Sequence, residues 1–163
     1  MSLLIGRPPQ RRVTAPVMLV LVVLAPAAVN GKGKKKEQPQ FKYVGGTESM
    51  QRGCTGNVEL TSEALTFRCS AGSIRAPYSS ISLMEYRTGI SRQVQKMKIE
   101  WKVKPATKHA KRNRYFTVLY NDAGSARALV LDVAPETMQP YLAEIDLKAG
   151  KRVDVQSHEE YGQ

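Results

Sequence analysis

The sequence predicts a mainly β fold: a bent antiparallel sheet, or partly open barrel, capped by one C-terminal α-helix. Three observations predict it. Residues 54–86 read as a meander of short strands whose apolar side chains alternate. Residues 114–133 read as a second hairpin around the turn signal Asn121-Asp122-Ala123-Gly124. Beyond Thr137 the apolar period changes from two to that of a helix.

The first 31 residues differ from everything after them. Arg7, Arg11 and Arg12 are their only charges, an apolar run follows from Val17 to Leu24, and Ala25-Pro26-Ala27-Ala28 closes it. That is the order of a secretory signal peptide with its small-residue cleavage site. The apolar stretch over residues 13–29 is broken by Pro16 and Pro26 and falls short of the roughly 20 residues a spanning helix needs. The rival is an uncleaved inner-membrane anchor over residues 13–29, backed by Lys32, Lys34, Lys35 and Lys36 just beyond. Cleavage gives an exported protein, periplasmic or secreted; for the anchor, the four lysines balance the three arginines and the charge rule gives no orientation. Residues 32–52 are rich in Lys, Gly, Gln and Glu and read as a flexible basic linker.

The domain is then expected over residues 53–155. Val58 and Leu60 share one parity, Leu65 and Phe67 the other. A turn centred on Ser62-Glu63 sets Leu60 opposite Leu65 and Val58 opposite Phe67, so all four land on one face. A slip of one residue would expose the whole set. By the same count Cys54 and Cys69 lie on that face, one diagonal step apart. A one-residue bulge near Thr55-Gly56 would bring them opposite. The export signal points to a disulfide, which on the chain-entropy view adds about 3 kcal/mol for a loop of about 15 residues. The alternative is two buried free thiols. A metal site lacks partners, since His109 and His158 lie far off in the sequence.

The later elements follow in order. Ser73–Ala76 reads as a third strand, residues 77–80 as a turn, and Ile81–Tyr86 as a fourth strand. Met97, Ile99, Trp101 and Val103 alternate with Lys98, Glu100, Lys102 and Lys104, which predicts a strand with one wet, basic face. Pro105 ends it and a cationic loop follows. Arg114–Tyr120 and Ala126–Val133 pair, with Leu129, Leu131 and Val133 on one side of the second strand and Ala128 and Val130 on the other. Met138, Tyr141, Leu142 and Ile145 form one helical face. Pro140 is tolerated only near a helix start, so Thr137 is the expected N-cap; Gly150 is the stop. Residues 156–163 read as a polar, disordered tail.

Charge is uneven. The chain carries +11 overall, with 25 basic and 14 acidic residues. Nine of those basic residues lie between Arg92 and Arg114, against the single acid Glu100. The bland reading is a solvated face that keeps the protein soluble. The sharper one is an anion-binding surface made of Lys98, Lys102, Lys104, Lys108, Lys111, Arg112 and Arg114, with Trp101 as its anchor. Anionic lipid headgroups or envelope polymers fit an exported protein. Nucleic acid suits the charge but not the sparse aromatics or the export.

Gly56–Phe67 followed by Ile74–Ile81 resembles the opening of bacterial pleckstrin-homology (PH) and GRAM-like domains: strand, turn, strand, then a proline-started turn into a strand. Ala149-Gly150-Lys151-Arg152-Val153 is similar to the end of the closing helix in exported proteins of that layout. The resemblance implies a helix plugging one end of a bent sheet, and a binding module without a catalytic centre or cofactor. It departs from the lipid-reading members in the first inter-strand loop. Thr61-Ser62-Glu63 has no cation there, so a phosphoinositide site is not implied. An open sheet edge in such a fold also admits a protein partner by strand addition.

No enzyme motif accompanies this. The chain has no Gly-x-Ser-x-Gly, no His-Glu-x-x-His and no Gly-rich phosphate loop. His109 sits among cations without a neighbouring carboxylate, and Glu159 and Glu160 are adjacent and point apart.

Overall fold

The computed structural model describes residues 39–106 and 113–156. The signal-peptide reading, residues 32–38, Lys108, His109, Lys111, Arg112 and the tail beyond Gln156 lie outside the described residues. The elements run β1 (Phe41–Gly46), β2 (Thr55–Leu60), β3 (Ala64–Cys69), β4 (Gly72–Pro77), a 3-10 turn (Tyr78–Ser80), β5 (Ile81–Arg87), α1 (Arg92–Lys96), β6 (Arg114–Asp122), β7 (Ser125–Val133), α2 (Pro135–Ala149) and β8 (Asp154–Val155). They form one eight-stranded sheet in the order β4-β3-β2-β1-β7-β6-β5-β8.

That order dictates the bend. β4 is one edge of the sheet and β5 is next to the other edge, yet only Tyr78–Ser80 joins them. A flat sheet could not bring its ends that close, so the sheet curls until they nearly meet. It stays open, because β4 and β5 do not pair. The hairpin that seeds it has the register expected, Val58 opposite Phe67 and Leu60 opposite Leu65. Their side chains fill the concave face with Phe41, Tyr43, Phe116, Leu129 and Leu131. α2 closes that face with Met138, Leu142 and Ile145, all buried. The ring of Tyr141 meets Phe41 edge-on at 5.0 Å, a geometry that adds about 1 kcal/mol to the burial.

Four expectations are corrected. The segment read as a flexible linker holds β1, which sits mid-sheet between β2 and β7, so the ordered domain begins at Phe41 and not at Gly53. Its two glycines are needed for contact. A Cβ on Gly45 would lie 2.7 Å from Pro105, and one on Gly46 2.6 Å from the carbonyl oxygen of Ala128. The helix starts earlier than expected. Ala134 is its N-cap and Pro135 takes the first-turn place that suits proline. Pro140 falls further in, on the exposed side. Gly150, in the left-handed conformation at φ 63°, ends the helix as expected. At the C-terminus, Gln156 is held to Thr88, whose N–H and hydroxyl both meet its side-chain oxygen at 3.3 and 2.9 Å.

The fourth correction concerns residues 97–104. They are not a strand of the sheet. Ser91 caps α1 by accepting the Val94 N–H at 3.3 Å, and the chain then lies across the convex face as a strap. Its amides reach two residues back, Ile99 to Met97 at 2.9 Å and Trp101 to Ile99 at 3.0 Å, the pattern of tight three-residue turns. A single bridge, Gly46 with Val103, touches the sheet. The alternation survives only from Ile99 on: Met97 is exposed, whereas Ile99 is buried and Trp101 and Val103 are half-buried while Lys98, Glu100, Lys102 and Lys104 are exposed. Together with Ile90 and Val94, the strap covers Tyr115, Leu119, Ala128 and Val130. The central strands β6 and β7 are therefore buried on both faces.

Candidate functional site

The strap sets out the basic residues, and it divides them. Lys98, Glu100 and Lys102 leave one side of it and meet Thr47, Ser125, Ala126 and Arg127 around a polar pocket of about 310 Å³. Lys104 and Trp101 are not part of that lining. With Ile90, Gln95 and Pro105 they line a smaller, mainly apolar pocket of about 190 Å³. Trp101 also packs on the buried cluster of the convex face, so it anchors the strap to the sheet.

Arg114 belongs to neither pocket. It opens β6 opposite Val133, whereas Asp122 and Ser125 face each other at the far end of that hairpin. The nine residues of β6 set those ends about 27 Å apart. The guanidinium of Arg114 lies over the Tyr86 ring, 5.9 Å from its centroid. The eight residues expected to share one anion surface thus separate. Lys98 and Lys102 come together, Trp101 and Lys104 line a different pocket, Arg114 is remote, and Lys108, Lys111 and Arg112 lie outside the described residues.

Of the pocket's lining only Lys98 and Lys102 were expected as site residues; three polar members from outside the strap were not legible as such. Thr47 is buried just past β1. Its N–H donates to the Ala128 carbonyl at 3.0 Å, and its hydroxyl accepts the Ala128 N–H at 3.2 Å. The first contact holds the backbone and the second the side-chain oxygen, which keeps its own proton to donate. Ser125 supplies a second hydroxyl at the start of β7. Arg127 lies between Glu48 and Asp122 at 3.8 and 3.6 Å. Both separations exceed hydrogen-bond length, so the guanidinium keeps donors in hand. The signal for Arg127 was its place three residues past Gly124 of the turn, which sets it near the mouth of a hairpin.

A third pocket, about 250 Å³, runs along the unpaired edge. Ser73, Ile74, Arg75 and Pro77 of β4 form one wall, and Tyr120, Asn121 and Asp122 of β6 the other. This is the seam left where the curled sheet fails to close. Tyr120 is buried there, and burial, helped by the Glu48 carboxylate, pushes its phenol up to about 12. A phenol so shifted is a fixed neutral donor at neutral pH and no general base.

Cys54 and Cys69 form a disulfide with Cα atoms 6.1 Å apart. Gly56 pairs with Cys69 and Cys54 lies beyond the strand, which relieves the diagonal offset. The bridge fits an oxidising compartment. Among the described residues no group of three or more His, Cys, Asp or Glu could hold a metal, and no helix is long and apolar enough to cross a membrane. No known family model, no curated protein and no solved structure matches the chain, so the candidate site stands on its own geometry.

Proposed function

We propose that this domain is a non-catalytic binding module of the cell envelope that takes anionic groups on the strap side carrying Lys98 and Lys102. The observation that carries the reading is the meeting of those two lysines with Arg127 around one polar pocket. The disulfide and the signal-peptide order of residues 1–31 support an exported, PH/GRAM-like module, as does the helix that plugs the curled sheet. Anionic headgroups or envelope polymers are the partners available there. Each cation near such a surface contributes about 1 kcal/mol, an amount that salt screens.

Co-sedimentation of the oxidised protein with anionic and neutral vesicles, and with an acidic polysaccharide, tests this. Binding to an anionic partner at low salt, lost at high salt and in Lys98→Glu/Lys102→Glu, is the expected outcome. Absence of binding to every anionic partner at low salt overturns it.

A second reading rests on the seam beside β4. An unpaired edge with a pocket along it suits a protein segment added as a strand. Such a partner would bind with little salt dependence, survive the double lysine reversal, and be lost in Arg75→Pro.

A further inference from the structure

We infer that the polar pocket between the strap and the β6–β7 turn selects an anionic sugar, a monosaccharide unit bearing one phosphate or carboxylate, and not a bare anion. The inference rests on the anion-binding reading above and narrows it. Three features of the lining carry it.

The first is size. A volume of about 310 Å³ equals about ten liquid waters at roughly 30 Å³ each. It lies at the lower end of ligand pockets. A phosphate ion would leave most of it wet, whereas one sugar ring with its anionic substituent fills it.

The second is the mix of charges. Lys98, Lys102 and Arg127 are donors without acceptor capacity, the set an anion needs. Glu100 leaves the same side of the strap between the two lysines. A carboxylate on the rim repels a bare anion, and only a ligand with O–H or N–H donors turns it into a partner. Sugar hydroxyls are such donors.

The third is a pair of hydroxyls, one of them held in place. Thr47 is 3% exposed, and its oxygen is held by the Ala128 N–H at 3.2 Å. Its oxygen is therefore held in place at the pocket wall, with a proton that can turn toward a ligand acceptor. Ser125 adds a second hydroxyl. Hydroxyls in the lining discriminate among neutral polar groups, and a site selecting charge alone has no use for them.

The test is calorimetric titration of the oxidised full chain with glucose 6-phosphate, inorganic phosphate, glucose and inorganic polyphosphate at low salt. Glucose 6-phosphate is expected to bind at least about tenfold more tightly than phosphate, with no measurable binding of glucose. Glu100→Ala, an exposed change that removes the acceptor, should cut that preference to less than about threefold and leave phosphate binding unchanged or stronger. Ser125→Ala should reduce the preference too. Equal binding of glucose 6-phosphate and phosphate overturns the sugar inference and leaves the anion reading standing. Binding of polyphosphate alone does the same. Failure of all four ligands, polyphosphate included, overturns both.

Discussion

The carboxylate of Glu85 accepts the backbone N–H of Ser91 at 3.0 Å from a position only 2% exposed, and this contact fastens the strap to the sheet. Glu85 faces Thr117 across the β5–β6 pair, on the convex side. Arg87 approaches it at 3.9 Å and reaches Asp154 of β8 at 2.6 Å. The carboxylate thus joins the edge strands to the start of α1, and every strap residue of the candidate pocket follows from there.

Removing that acceptor strands a buried amide. Glu85→Ala is expected to lower stability by about 2 kcal/mol in urea denaturation, and Glu85→Gln, which keeps an acceptor oxygen, by less than half as much. Trp101 is the chain's single tryptophan and packs under the strap, so its emission in Glu85→Ala should shift to the red before global unfolding. Stability within about 0.5 kcal/mol of the parent, with unchanged emission, would show that the strap does not depend on this bond.

Legibility tracked how locally each element is specified. The β2–β3 hairpin was legible to the residue because its turn and both apolar parities lie within fifteen residues. β7 was legible on both faces for the same reason. β1 was hidden by composition. Phe41 and Tyr43 do alternate with Lys42, but Gly45 and Gly46 resemble linker residues until Pro105 and Ala128 are seen against them. Residues 97–104 had the right period and the wrong partner. Period two marks an extended chain with one buried side, and it cannot distinguish joining a sheet from lying across its face. Half of the candidate pocket was likewise out of reach. Lys98 and Lys102 stood out as charges, whereas Thr47 and Arg127 reach them only through the pairing of β1 with β7.

The disulfide should be worth most of what its loop predicts. It spans 15 residues of sequence and ties the β1–β2 connection to the end of β3. Cys54 also holds the sheet through its carbonyl, which accepts the Tyr43 N–H at 2.8 Å. Cys54→Ser/Cys69→Ser is expected to lose about 3 kcal/mol, read as a lowered urea midpoint. Adding reductant to the parent should reproduce the loss and leave the double variant unmoved. A reductant effect of equal size on both proteins would contradict the assignment.

Beside the bridge, Gly56 is fixed by contact. A Cβ at this position would lie 1.8 Å from the carbonyl oxygen of Arg68, within the β2–β3 ladder. Only backbone movement could relieve that overlap, and it would part the hairpin that carries Val58 and Phe67. Gly56→Ala should therefore cost about 3 kcal/mol or more, while Gly124→Ala, at a turn with open space around it, should cost about 1 kcal/mol through its positive φ alone. Comparable losses at the two sites would rule out the close approach.

Alkaline pH offers a test of the core itself. Burial, aided by Glu48, lifts the Tyr43 phenol from 10.0 to about 12, and the same two causes act on Tyr120. Burial raises Tyr86 as well, against the opposing pull of Arg114. Between pH 10 and about 12 the unfolded chain has released phenolic protons that the folded chain keeps. The unfolded state then binds fewer protons, so stability falls as pH rises through this window and is unaffected by these groups below it. Phenolate absorbance should climb steeply within the window together with loss of the β-sheet circular dichroism, while in urea it climbs near pH 10. Tyr43→Phe separates the two contributions of one phenol. At neutral pH the variant lacks the bond from the Tyr43 hydroxyl to the Glu48 carbonyl at 2.9 Å and should be about 1 kcal/mol less stable. It also lacks the alkaline penalty, so its deficit against the parent should shrink above pH 10. A deficit constant from pH 7 to pH 12 would place this phenol in water, outside the core described for it.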